Sequence, residues 1–240
     1  MKLTEFQKLS HKHYNDSLLY RLLLPKNYSH ESKYPLILFM HGAGERGSDN
    51  ELQLKYITEL FLDEYNRENY PCFVLAPQCP PDPVWWSYTS WSNPVLPKEP
   101  SLELSMVISL LDELIQNYPV DESRIYITGL SMGGCATYDL IMRYPAKFAT
   151  AIPVCGWGDT SKAEVIKEIP VWIFHGDDDA IVSVDYSRKM YNALKIINGN
   201  VKYTEYPGIG HDSWIYAYKE PELLKWLFDQ TKQLKLRKNK

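Results

Sequence analysis

The sequence predicts an α/β fold: one mostly parallel central sheet with helices on both faces and no lid domain. Three observations carry that expectation. Residues 34–40 (Tyr-Pro-Leu-Ile-Leu-Phe-Met) are almost continuously apolar, as a strand buried on both faces must be. Apolar residues at Leu104, Val107, Ile108, Leu111, Leu114 and Ile115 keep one helical face over 101–118. Between 124 and 144 a β-branched strand runs through Gly129-Leu130-Ser131-Met132-Gly133 into a helical pattern.

Taken in order, residues 1–16 are polar, with His11 and His13, and form a poorly defined N-terminal segment. A strand over 17–25 ends at Pro25, and 29–33 is a polar loop. The strand over 34–40 stops at His41-Gly42-Ala43-Gly44-Glu45-Arg46-Gly47. Leu52, Tyr56, Leu60 and Phe61 give helical spacing over 51–65, and 72–77 is the next strand. Residues 78–100 are rich in Pro and Trp and have no period. Ser101 then caps a helix that Pro119 closes. Beyond the serine turn, helices fall at 135–144, 161–167, 184–197 and 220–236. Strands fall at 149–155, 171–174 and 201–206, the last alternating like an edge strand.

At 240 residues the chain is sized for a single domain spanning 1–240, with a basic tail over 232–240. Hydrophobic content of 45% and charged content of 23% describe an ordinary globular protein, and a net charge of −4 argues against nucleic-acid partners. No stretch reaches the roughly 18 apolar residues of a membrane span, and the first residues have no apolar leader region. The expectation is a cytoplasmic protein, or a secreted one if a leader has been removed. Cys72, Cys79, Cys135 and Cys155 fit no metal spacing and read as reduced, buried, small hydrophobes.

The chemistry converges on the carboxyl ends of the strands, where a wound parallel sheet places its ligands. A serine on a tight strand-to-helix turn needs a base and an orienting acid. The turn after 171–174 offers Asp177, Asp178 and Asp179, and the turn after 201–206 offers His211. Ser, then Asp, then His is the chain order this architecture requires. The N–H groups of Ala43 and Met132 would make a two-donor oxyanion hole. His41 and His175 each precede a glycine at a strand end and read as loop-fixing residues. Adjacent aspartates cannot all converge on one ion, so no metal and no cofactor is expected. Trp85, Trp86, Trp91, Trp157 and Trp214 would wall the site with rings, and Glu45 and Arg46 would add polar contacts.

These motifs resemble those of the α/β-hydrolase superfamily, within it the phospholipase/carboxylesterase and dienelactone-hydrolase-like group. The resemblance rests on 41–47, Ala76-Pro77-Gln78-Cys79, 129–134, Arg143-Tyr144-Pro145, His175-Gly176-x-x-Asp179-x-x-Val182 and Gly210-His211-Asp212-Ser213-Trp214. It implies Asp179 as the acid, Ser131 as the nucleophile, His211 as the base, and Ala43 and Met132 as oxyanion donors. Ala180 departs from the turn former usual in such proteins. About fifteen residues separate Cys155 from Val171, where lipases insert a lid, so none is expected. The activity so implied is hydrolysis of short-chain or aromatic acyl esters, with acetyl or feruloyl esters of plant polysaccharide fragments as a special case. The substrate would be a small molecule or an oligosaccharide ester, with neither nucleic acid nor membrane as partner. A serine peptidase, a non-turnover receptor and an acyltransferase of the same fold remain alternatives.

Overall fold

The computed structural model describes residues 3–82, 84–85 and 94–232. Its strands are β1 Phe6–His13, β2 Asp16–Leu23, β3 Tyr34–Met40, β4 Phe73–Gln78, β5 Val120–Leu130, β6 Thr150–Val154, β7 Val171–Gly176 and β8 Val201–Tyr206. They join one sheet in the order β1-β2-β4-β3-β5-β6-β7-β8. β2 runs antiparallel to both β1 and β4, and every pairing from β4 to β8 is parallel. The helices are α1 Thr58–Leu62, α2 Glu64–Asn69, α3 Leu102–Asn117, α4 Met132–Arg143, α5 Ala163–Ile166, α6 Asp185–Ile196, α7 Trp214–Ala217 and α8 Leu223–Phe228.

Strand β3 shows why a continuous apolar run was needed. Leu36, Leu38 and Met40 face the core under α3 and α4, while Ile37 and Phe39 face the one under α1 and α8. A strand with water on either face would carry polar residues at every second position. Helix α3 starts where Ser101 accepts a hydrogen bond from the Leu104 N–H at 3.1 Å, and it ends before Pro119. β8 closes one margin of the sheet, as its alternation foretold.

Two segments differ from expectation. Residues 6–13 form a defined strand: β1 pairs along its whole length with β2, from Phe6↔Leu23 to His13↔Asp16. As the outer strand it buries only Phe6 and His11, so it shows little hydrophobic pattern. Its histidine is satisfied by α3, with Nδ1 2.7 Å from Glu113 Oε2 and Nε2 3.0 Å from Ser109 Oγ. The single helix expected over 51–65 is instead three short pieces: a 3-10 turn at Leu52–Leu54, then α1 and α2. Asp63 makes the break. Its backbone is extended (φ −62°, ψ 131°), and its carboxylate caps α2 by accepting from the Asn66 N–H at 2.9 Å. The closing helix is also shorter than expected, with α8 ending at Phe228. The basic tail beyond Lys232 lies outside the described residues.

Between β6 and β7 the chain makes only a 3-10 turn at Thr160–Lys162 and α5, with no lid. No helix among the described residues is long and apolar enough to cross a membrane. All four cysteines are free and buried.

Candidate active site

Four strand ends deliver the site. Ser131 sits between β5 and α4 with φ 51° and ψ −116°, a conformation that costs an L-residue on the order of 1–3 kcal/mol. The surrounding structure over-determines it. The Ser131 N–H donates to the Val154 carbonyl at 2.9 Å, and its carbonyl accepts the first bond of α4 from Cys135 N–H at 3.0 Å. A Cβ on Gly133 would stand 1.9 Å from the Met40 carbonyl oxygen, so only glycine lets α4 cross the end of β3 this closely.

β3 and β5 are neighbours, with Met40 opposite Gly129, so the loops that follow leave the sheet side by side. One begins the 3-10 turn at Ala43–Glu45 and the other begins α4 at Met132. The first N–H groups of a helical turn have no partner inside it, so those of Ala43 and Met132 are left without a helical acceptor.

The Ala43 loop is firmly braced. His41 Nδ1–H donates to the Gly42 carbonyl at 2.6 Å, and its Nε2 accepts from the Cys79 N–H at 2.9 Å. Burial pushes its pKa down to about 4, so the ring is neutral at physiological pH. Glu45 is buried and accepts from the Gly42 N–H at 3.0 Å. It fixes the loop rather than facing a substrate. Arg46 Nε donates to the Ala43 carbonyl at 3.0 Å. Gln78, from β4, accepts from Asn50 N–H at 2.7 Å and donates to the Glu45 carbonyl at 3.2 Å.

Asp179 and His211 arrive on the loops after β7 and β8. Asp179 Oδ1 accepts from the N–H groups of Ile181 and Val182 at 2.9 and 2.8 Å. Its Oδ2 accepts from His211 Nδ1 at 2.7 Å. A carboxylate only accepts, so the proton is on Nδ1 and Nε2 is left to accept the Ser131 hydroxyl, 2.9 Å away. Burial alone would push the Asp179 carboxyl up. The hydrogen bonds from His175, His211 and the two N–H groups outweigh it and hold the group well below the usual carboxylate range. The two loops are laced together: Asp178 N–H donates to the Ile209 carbonyl at 3.1 Å, and Gly208 N–H to Asp177 Oδ1 at 2.6 Å. Asp177 and Asp178 are exposed and serve the turn.

Sequence reasoning missed one contact. His175 lies fully buried at the end of β7, and its Nε2 is 2.9 Å from the Val182 carbonyl and 3.2 Å from Asp179 Oδ2. The four-residue spacing of His175 and Asp179 around a tight turn was the available signal.

The tryptophans divide. Trp85 is fully buried and its indole N–H donates to the His41 carbonyl at 3.2 Å; Trp157 is 1% exposed, packed with Cys135 and Val182. Both are core residues and not the site wall expected of them. Trp86 and Trp91 lie outside the described residues. Trp214 does border the site: its ring stands edge-on to His211, with centroids 5.3 Å apart, and 5.4 Å from Tyr56. Beyond it a groove of about 660 Å³ runs between the α1–α2 segment and the α7–α8 segment, with Tyr56, Tyr65 and Tyr70 on its walls. The broken helix at Asp63 lies along this groove.

Among the described residues, one set of donor atoms has metal-like spacing. Cys155, Asp179 and His211 lie within 4.8 Å of one another. Asp179 and His211 already satisfy each other, and burial pushes the Cys155 thiol far up, whereas a metal ligand must be a thiolate.

Residues 28–219 match the phospholipase/carboxylesterase family. A solved structure of a thermostable esterase superposes with a TM-score of 0.89 at 43% identity, covering 96% of this chain; the chain spans 64% of that protein. A probable carboxylesterase, SOBER1-like, of Arabidopsis thaliana is 27% identical over 195 residues, which cover 73% of this chain and 71% of that one. The feruloyl esterase module from Clostridium thermocellum complexed with sinapinate shares the fold, with a TM-score of 0.69 at 18% identity over 96% of this chain and 90% of that one. With its sheet order, its strained serine turn and these similarities, the chain belongs to the phospholipase/carboxylesterase family of hydrolases with the α/β-hydrolase fold.

Proposed function

We propose that the protein is a serine carboxylesterase that works through an acyl-enzyme on Ser131. The observation that carries this reading is a single histidine joining the strained serine to a buried carboxylate, at 2.9 and 2.7 Å. His211 removes the hydroxyl proton as Ser131 attacks an ester carbonyl. The N–H groups of Ala43 and Met132 take the developing oxyanion, and Asp179 fixes the histidine tautomer and stabilises the imidazolium. His211 then gives its proton to the leaving alkoxide, and it activates the water that frees the acid.

The favoured substrates are short-chain or aromatic acyl esters, including acetyl and feruloyl esters of plant polysaccharide fragments. The groove beside Trp214 supports a bulky alcohol portion. Trp214, whose ring stands edge-on to His211, forms part of its wall, and its rings suit the apolar faces of sugars. Its charged walls are balanced, with Lys55, Lys219 and Lys225 against Glu59, Asp63 and Glu220, which fits a neutral hydroxylated group better than an ion. The lidless connection after β6 fits soluble esters rather than lipid droplets.

The test is hydrolysis of a p-nitrophenyl ester series beside methyl ferulate and an acetylated xylo-oligosaccharide, with Ser131→Ala as control. Turnover that vanishes in the variant and favours the acetyl or feruloyl substrates is the expected result. Short-chain turnover without that preference removes the saccharide assignment and leaves the esterase. Turnover independent of Ser131, or cleavage of peptides alone, overturns the reading.

A further inference from the structure

Two histidines meet on one carboxylate oxygen. Asp179 Oδ2 accepts from His211 Nδ1 at 2.7 Å and lies 3.2 Å from His175 Nε2. Nε2 of His175 also lies 2.9 Å from the Val182 carbonyl. Both neighbours are acceptors, so Nε2 carries a proton shared between them, and Nδ1 is free to accept the Ser187 hydroxyl at 2.7 Å. His175 and Ser187 are both buried and touch no reacting atom.

From this geometry we infer that His175, oriented by Ser187, is a positioning residue that holds Asp179 and weakens its basicity toward His211. The inference rests on the triad reading of the same site. Its physical basis is that a carboxylate oxygen shared by two donors binds each less strongly than one serving a single donor. With Oδ1 tied to two backbone N–H groups, the His175 proton completes a four-donor cradle that sets both the angle and the charge density of Oδ2. His41 offers the contrast: it also precedes a glycine at a strand end, but its ring nitrogens go to backbone atoms of Gly42 and Cys79.

The ionisable neighbours are the same in every variant below. Glu205, opposite His175 on β8, is bound by Arg188 of α6 at 2.7 and 2.9 Å. Cys155 stands at the end of β6, Asp177 and Asp178 in the acid turn, and Asp212 beside His211. A difference between profiles therefore isolates the His175 donor.

The experiment is the pH profile of kcat/KM for p-nitrophenyl acetate in the wild-type chain, His175→Phe, His175→Gln and His175→Asn. Removing the donor makes Oδ2 a stronger acceptor for the imidazolium. The acid limb should then move to higher pH by about half to one unit in His175→Phe, and the plateau should fall on the order of tenfold or more. Glutamine places an amide N–H near the position of Nε2 and should restore the limb and most of the rate. Asparagine is equally polar but too short, and should behave like phenylalanine; this pair decides the matter if the phenylalanine variant does not fold. A lowered plateau with the limb unmoved in both Phe and Asn variants would mean a purely structural histidine and overturn the inference. Wild-type turnover that does not need Ser131 would instead overturn the triad reading beneath it.

Discussion

His41-Gly42 follows β3 and His175-Gly176 ends β7, and the two histidines have different partners. His41, after β3, spends both ring nitrogens on backbone groups of Gly42 and Cys79 and holds the loop that carries Ala43. His175, at the end of β7, meets a carbonyl, a hydroxyl and the Asp179 carboxylate. The first braces the loop that carries Ala43, and the second stands in contact with the carboxylate that binds His211. The surroundings decide between these roles. A turn holding an aspartate four residues on gives the ring a charged partner, whereas a turn packed under a neighbouring strand gives it only amides.

The comparison can be broken at the acid. Asp179→Asn keeps the shape but loses the charge and favours the wrong tautomer of His211, so kcat for p-nitrophenyl acetate should fall about 10³–10⁴-fold with circular dichroism unchanged. A fall of less than tenfold would remove Asp179 from its assigned role.

Gly176 tests how the acid and base loops are held together. A Cβ there would stand 2.1 Å from the Ile209 carbonyl oxygen and 2.5 Å from that of Gly210. Gly176→Ala must push the His211 loop away, and a loss of kcat on the order of a hundredfold is expected, with Tm lowered. Unchanged kinetics would mean that the loop spacing does not set the catalytic geometry.

His41 sharpens the contrast through pH. Its pKa is held at about 4 in the folded chain against an ordinary 6.5, so the unfolded chain binds the extra proton between these values. Stability from this group is complete above pH 6.5 and is lost as pH falls toward 4, by roughly 3 kcal/mol over the window. Urea unfolding of His41→Asn should show a lower stability at pH 7 and a flatter decline between pH 6.5 and 4. The acid limb of kcat/KM should stay where it is in the wild type, unlike that of His175→Phe.

The smallest effect separates the two kinds of tryptophan. Trp85→Phe removes one buried hydrogen bond to the His41 carbonyl and should cost about 1 kcal/mol in urea unfolding, with KM unchanged. Trp214→Ala should raise KM several-fold for esters of bulky alcohols and leave that of methyl esters nearly as it was. Equal effects on both substrates would detach the groove from the leaving group.

Much of this arrangement is written locally. The two-faced apolar run of β3, the Ser101 cap and Pro119 stop of α3, and the serine turn are each set by neighbours in the chain, and each reads directly from sequence. That Ser131, Asp179 and His211 come together was legible because chain order and strand ends constrain them. What escaped depends on contacts distant in sequence. β1 buries two side chains and is held by β2, so its own pattern is silent. Asp63 looked like one more polar face of a helix until its capping of α2 divided the segment. Trp85 and Glu45 carry residue types common in binding sites, yet both are spent on His41 and Gly42. Which side of a loop faces solvent is decided by packing that no short motif records.

The most direct test of the account is covalent labelling with a fluorophosphonate, read by intact mass and peptide mapping. The account predicts one equivalent bound to Ser131, and labelling slowed by orders of magnitude in His211→Ala and in Asp179→Asn. Ester turnover that persists while Ser131 stays unlabelled, or a label on another residue, would contradict it.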